Sequence, residues 1–94
     1  MKTITLFHLE HCPYCIKARK ALEELCKVDP AYSSVQINWI EERQEPEVAD
    51  KFDYYYVPTI YYEGKKLYEA HPSEDYETIK GKVKEALDTV LAAK

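Results

Sequence analysis

The apolar period of this chain changes from that of a strand to that of a helix near its start, and the change falls on Cys12-Pro13-Tyr14-Cys15. Residues 3 to 9 alternate: Ile4, Leu6 and His8 fall on one face, Thr5, Phe7 and Leu9 on the other, and both faces are largely apolar. Such a strand has to be covered on both sides, which predicts a central strand with packing layers above and below it. From Pro13 onward Cys15, Ala18, Leu22, Leu25 and Cys26 recur at spacings of three and four, with Lys17, Arg19, Lys20, Glu23 and Glu24 in the gaps. That pattern predicts an amphipathic helix. Asp29-Pro30 ends it, because the residue before a proline is pushed out of the helical region.

The rest of the chain continues the alternation of elements. Val35, Ile37, Trp39 and Ile40 predict a second strand, and Pro46 opens a short helix with Val48, Ala49 and Phe52 on one side. Thr59 to Tyr62 and Lys66 to Glu69 flank Glu63-Gly64-Lys65, a connection that suits an antiparallel hairpin. Ser73 is the expected cap of a last helix, with Glu74, Asp75 and Glu77 in its first turns, where the dipole favours acids. Tyr76, Ile79, Val83, Leu87, Val90 and Leu91 form the buried stripe of that helix, with Gly81 on the opposite face. The order βαβαββα predicts an α/β fold: a four-stranded mixed sheet with helices on both faces. Sites in such sheets form outside the carboxyl ends of parallel strands, where the first strand-to-helix turn puts Cys12.

Composition narrows the function classes. A length of 94 residues predicts one domain over residues 1–94, and 46% apolar with 32% charged residues is the balance of an ordered globular chain. The net charge is -4, with cations interleaved among acids, which argues against a nucleic-acid partner. No apolar run is long enough for a membrane span, and Met1 to Leu9 is too short for the apolar part of a signal peptide. Three cysteines, unevenly spaced, do not make a disulfide framework. A cytoplasmic monomer in a reducing compartment is the expectation.

With Cys12 at the cap position and Pro13 at the first helical position, the Cys12 sulfur is expected beside the amides of Tyr14 and Cys15. Those donors and the helix dipole favour the thiolate, the form that attacks disulfides. Cys12 is therefore the expected nucleophile. Cys15, one turn further along on the face shared with Ala18 and Leu22, is the expected resolving thiol. Lys17 and Lys20 read as solvated surface rather than as part of the site. A zinc centre built from His8, His11, Cys12 and Cys15 is the alternative, but structural zinc sites draw ligand pairs from separated segments, and no metal ligand is assigned. Cys26 lies about 16 Å along the helix from Cys15, too far to bridge, and reads as core.

Cys12-Pro13-Tyr14-Cys15 after a first strand, with Val57-Pro58-Thr59 before the hairpin, resembles the glutaredoxin branch of the thioredoxin-like superfamily over nearly the whole chain. The resemblance implies a thioredoxin-like fold and a thiol-disulfide oxidoreductase acting on protein or low-molecular-weight disulfides. Cys12 and Cys15 would be catalytic through a mixed disulfide. Pro13, Tyr14, Val57, Pro58 and Thr59 would lie at the substrate, with Pro58 cis and the Val57 backbone pairing with it. No bound cofactor is implied. A binding module that holds an iron-sulfur cluster or zinc through Cys12 is the second class, against which Pro13 argues. An adaptor whose dithiol is incidental is the third.

Two stretches depart from relatives that bind glutathione. Leu9 stands where they carry a lysine, and Tyr68-Glu69-Ala70-His71-Pro72-Ser73 contains no glycine pair, although the amides there and Asp75 remain candidates for contact. The segment from Glu45 to Thr59 is similar to thioredoxins. Both glutathione and a flavin-dependent reductase therefore stand as electron donors. Tyr54, Tyr55, Tyr56, Tyr61 and Tyr62 crowd around Val57-Pro58, mainly as sheet packing and with the alternative of an aromatic surface for a protein partner.

Overall fold

The computed structural model describes residues 2–93. β1 (Thr3–His8) runs into α1 (Pro13–Val28), a 3-10 turn (Pro30–Ser34) leads to β2 (Gln36–Glu41), and α2 (Pro46–Ala49) follows. β3 (Thr59–Tyr62), β4 (Lys65–Glu69) and α3 (Tyr76–Ala92) complete the chain. The sheet order is β2-β1-β3-β4, with β1 parallel to β2 and antiparallel to β3, and β3 antiparallel to β4. β1 is thus central, as its two apolar faces demand. Among the described residues no helix is long and apolar enough to cross a membrane.

The alternation of β1 divides the interior in two. Ile4 and Leu6 join Ile60, Leu22 and Leu25 of α1, and Ile79, Val83, Leu87 and Val90 of α3, in one core. Phe7 points the other way and meets Ile40, Ala49 and Tyr61, with Phe52, Tyr54 and Val57 packed alongside. The second core is aromatic: the Phe7 ring lies 4.7 Å from that of Phe52 and 4.9 Å from that of Tyr54. α1 and α3 cover one face of the sheet, and α2 with the loop after it covers the other. Lys2, at the start of β1, donates from Nζ to the carbonyls of Val90, Leu91 and Ala93, and so closes the C-terminus of α3 with a cation.

Three expectations change. Ser73 does not cap α3; Asp75 does, its Oδ1 accepting from the Thr78 N–H at 2.8 Å. Ser73 sits at φ 78°, in the left-handed region, whereas a cap residue needs extended backbone. Glu74 accordingly lies outside the helix. Cys26 and Leu91 are half-buried against the main core rather than within it, and Tyr76 is half-buried as well. The 3-10 turn carries no apolar period to announce it, yet its Tyr32 is buried and donates from its hydroxyl to Asp88 at 2.7 Å. In the hairpin Glu63 and Gly64 both take positive φ, 50° and 79°, the pattern of a two-residue turn matched to strand twist, so β4 begins at Lys65.

Candidate dithiol site

Cys12 is the N-cap of α1, with φ -71° and ψ 126°, and Pro13 opens the helix. Proline suits that position because a first-turn amide has no acceptor within the helix. The Cys12 N–H donates to the Leu9 carbonyl at 3.2 Å, and the Ile16 N–H donates to the Cys12 carbonyl at 3.0 Å, so backbone bonds hold the turn on either side of the thiol. The expected amide contacts to the Cys12 sulfur are not made: the side chain accepts no capping hydrogen bond. Sulfur is a weak acceptor, and the half-exposed side chain is left to the field of the helix rather than to a directed bond.

Cys15 has the opposite environment. It is 1% exposed, and its sulfur accepts from the Leu9 N–H at 3.4 Å. Burial pushes its thiol up to about 12; the Leu9 amide and the Arg19 charge pull the other way and are outweighed, while the adjacent Cys12 sulfur raises it further. No disulfide joins the two sulfurs. One turn of helix therefore separates an accessible sulfur from a buried, firmly protonated one.

The Val57-Pro58 bond is cis. β1 and β3 pair with Phe7 opposite Thr59, so the cis proline lies just beyond the paired segment, at the end of the sheet where β1 leaves for the Cys12 turn. Pro58 is buried and Val57 half-buried. Thr59 is 0% exposed, and its hydroxyl donates to the Tyr56 carbonyl, so its side chain braces the loop from within. Tyr14 is half-buried against the main core, and its hydroxyl accepts from the Ser73 N–H at 2.9 Å, which ties the start of α1 to the loop before α3.

The amides of that loop are engaged internally. Ala70 N–H donates to the Pro58 carbonyl at 3.0 Å, His71 N–H to the Glu74 carboxylate at 3.0 Å, Ser73 N–H to Tyr14, and Glu74 N–H to the His71 carbonyl at 3.3 Å. Pro72 has none to give. Asp75 is occupied as the helix cap, and the Thr78 amide holds its carboxyl below the usual range.

Of the residues weighed for zinc, His11 is exposed, and His8 turns to α1, with Nδ1 3.3 Å from the Arg19 guanidinium and its ring edge-on to Trp39 at 5.3 Å. Burial, then the Arg19 charge, lowers the His8 pKa. Among the described residues no group of three or more His, Cys, Asp or Glu side chains is arranged to hold a metal. Lys17 and Lys20 lie over the rings of Tyr14 and Tyr76, at 5.5 and 5.4 Å from the centroids. An open cleft of about 370 Å³ lies at the carboxyl ends of β1 and β2, lined by His8, Glu10, Trp39, Glu41, Gln44 and Glu45, and neither thiol nor the cis proline borders it. Leu9 acts on Cys15 through its backbone and Arg19 through its charge, roles that no motif announces.

The family profile described as glutaredoxin matches residues 4–67, which takes in the dithiol, the cis proline, β3 and the first part of β4. The chain belongs to the glutaredoxin family. Solved structures share its fold at low sequence identity. A thioredoxin variant from Halobacterium salinarum matches with a TM-score of 0.60 and 15% identity, over 98% of this chain and 76% of that one. A structure described only as a malarial protein matches with a TM-score of 0.59 and 15% identity, over 88% of this chain and 93% of that one. No curated protein sequence matches. The solved structures show a thioredoxin-like fold, and membership of the glutaredoxin family supports a thiol oxidoreductase-type function.

Proposed function

We propose that this glutaredoxin reduces disulfides through a two-thiol cycle and takes its electrons from a flavin-dependent reductase. The observation that carries the cycle is the unequal burial of the two sulfurs at one strand-to-helix turn. Cys12, as thiolate, attacks one sulfur of the substrate disulfide; the Cys12–substrate S–S bond forms, the substrate S–S bond breaks, and the first substrate thiolate leaves and takes a proton. Cys15 then attacks the Cys12 sulfur, its proton ending on the substrate thiolate that departs. The Cys12–Cys15 disulfide forms, the second substrate thiolate leaves, and two electrons have passed from protein to substrate. A Cys15 thiol held near 12 is protonated at neutral pH, which favours attack by Cys12 first.

Two features support the choice of donor. Leu9 places no charge near the dithiol for a carboxylate, and the loop from Ala70 to Glu74 has spent its amides on its own contacts. Oxidised protein mixed with NADPH and thioredoxin reductase should be re-reduced over repeated turnovers, and glutathione with its reductase should be much slower. Reduction by glutathione alone would overturn the choice of donor, and reduction by neither system would overturn the cycle.

A further inference from the structure

The turn between β1 and α1 is gripped by side chains from both of its neighbours. Arg19, half-buried and one helical turn beyond Cys15 on the same face of α1, reaches back to it. One guanidinium nitrogen donates to the Glu10 carbonyl at 3.0 Å, and the other lies 3.3 Å from Nδ1 of His8. A guanidinium only donates, so the second contact makes His8 a neutral acceptor at Nδ1, with its proton on Nε2. From the other side, Oε2 of Glu41 on β2 accepts from the Glu10 N–H at 3.1 Å, and its Oε1 accepts from the Arg43 N–H at 2.6 Å. Both polar groups of the Glu10 backbone are thus bonded to side chains of other elements. Leu9 sits between the two residues that Arg19 holds. Its carbonyl accepts from the Cys12 N–H and its own N–H donates to the Cys15 sulfur, so the grip on His8 and Glu10 fixes the aim of that donor.

We infer that Arg19 is a positioning residue for the second thiol transfer, holding the strand-to-helix turn so that the Leu9 amide stays on Cys15 while that sulfur takes on negative charge. The inference rests on the two-thiol cycle above. Cys15 begins that step buried and protonated, and its proton must leave as the Cys12–Cys15 bond forms and the substrate thiolate departs. A hydrogen bond to sulfur strengthens as charge builds there, so a donor already aimed at it lowers the barrier without rearranging. The two steps differ in this respect. The Cys12 sulfur accepts no capping hydrogen bond, so loosening the turn removes no donor from the first attack. Arg19 also acts on Cys15 through its own charge, and Glu41 separates the two effects. It carries the opposite charge but holds the same backbone, so its removal would help a Cys15 anion by charge and harm it by position.

Dithiobis(nitrobenzoate), a small aryl disulfide, lets the two steps be watched separately when pre-reduced protein is in excess. Attack by Cys12 releases one coloured thiolate at a rate that rises with protein concentration, and attack by Cys15 releases the second at a rate that does not. Arg19→Met, which keeps the apolar stem and loses the fork, should slow the second release roughly tenfold, the size of one lost hydrogen bond at a reacting sulfur, and leave the first unchanged. Arg19→Lys keeps the charge without the two-pronged grip and should recover only part of that rate. Glu41→Ala should slow the second release as well, by roughly threefold. Lys20→Met, which removes a cation from the exposed position beside Arg19, should match wild type in both phases. The positioning role is overturned if the second release in Glu41→Ala is unchanged or faster, or if Arg19→Lys is as fast as wild type, since charge alone would then suffice. It is equally overturned if Lys20→Met slows the second release, or if Arg19→Met slows both phases alike or neither. Wild type that releases the first thiolate and never the second would instead sink the two-thiol cycle itself.

Discussion

At the residue scale, the difference between the two cysteines is one of solvent rather than of sequence neighbourhood. Cys12 meets water at a helix end, and Cys15 is enclosed, with the Leu9 amide donating to its sulfur. Iodoacetamide at pH 8 should therefore alkylate Cys12 and spare Cys15, as read by peptide mass; equal labelling would contradict the burial. Cys15→Ser should accumulate the mixed disulfide on Cys12, and Cys12→Ser should abolish turnover by at least 100-fold. The raised Cys15 thiol also sets a pH dependence. Its folded value, about 12, lies above the ordinary 9.0, so the native state holds that proton more tightly than the unfolded chain does. The stability it contributes is complete below pH 9 and is lost as pH rises from about 9 toward 12. Thermal melts across that window should fall more steeply for wild type than for Cys15→Ala; parallel slopes would place the titration elsewhere. Cys12 and Cys15 are legible in the sequence because a period change frames them. The Leu9 contact is not, because a backbone amide carries no side-chain signature.

At the scale of elements, the entry to α3 separates what a sequence can say from what a fold decides. Ser73 and Asp75 are both good cap residues two positions apart, and pattern alone does not choose between them. The choice is made by the turn before the helix: the Ser73 amide reaches the Tyr14 hydroxyl, the backbone there takes φ 78°, and Asp75 has the extended backbone of a cap. Asp75→Ala should lower the urea midpoint by about 0.5 M, whereas Ser73→Ala should leave it within error. Ser73→Gly should be neutral or slightly stabilising, since glycine accepts a positive φ at no steric cost. An Asp75→Ala variant as stable as wild type would remove the cap from the account. β1, α1 and the hairpin were readable because each carries a periodic apolar face or a glycine turn. The 3-10 turn at Pro30–Ser34 was not, since its one buried side chain, Tyr32, is fixed by Asp88 from α3, a contact 56 positions away in the chain.

At the scale of the whole molecule, the two cores have unequal tasks. The larger, between the sheet and the pair α1 and α3, joins elements from both ends of the chain and sets the global stability. The smaller sits under α2 and the loop from Asp50 to Pro58, and its aromatic members Phe7, Phe52, Tyr54 and Tyr61 hold that loop, hence the cis proline, against the sheet. Local opening should follow the same division, because a segment with few buried partners opens at a lower free energy than the core does. Ile79→Ala, in the larger core, should cost about 3 kcal/mol and speed amide exchange everywhere the protein exchanges by global unfolding. Phe52→Ala should cost less, about 2 kcal/mol, and should act first on the Tyr55 and Tyr56 amides, whose acceptor on Glu69 stays in place while the packing beneath the loop is lost. Exchange followed by mass spectrometry would then show the loop peptide accelerated well before the α1 and α3 peptides. Uniform acceleration in Phe52→Ala would mean that the two cores open as one unit, and the loop that carries the cis proline would then be no more independent than the helices on the other face.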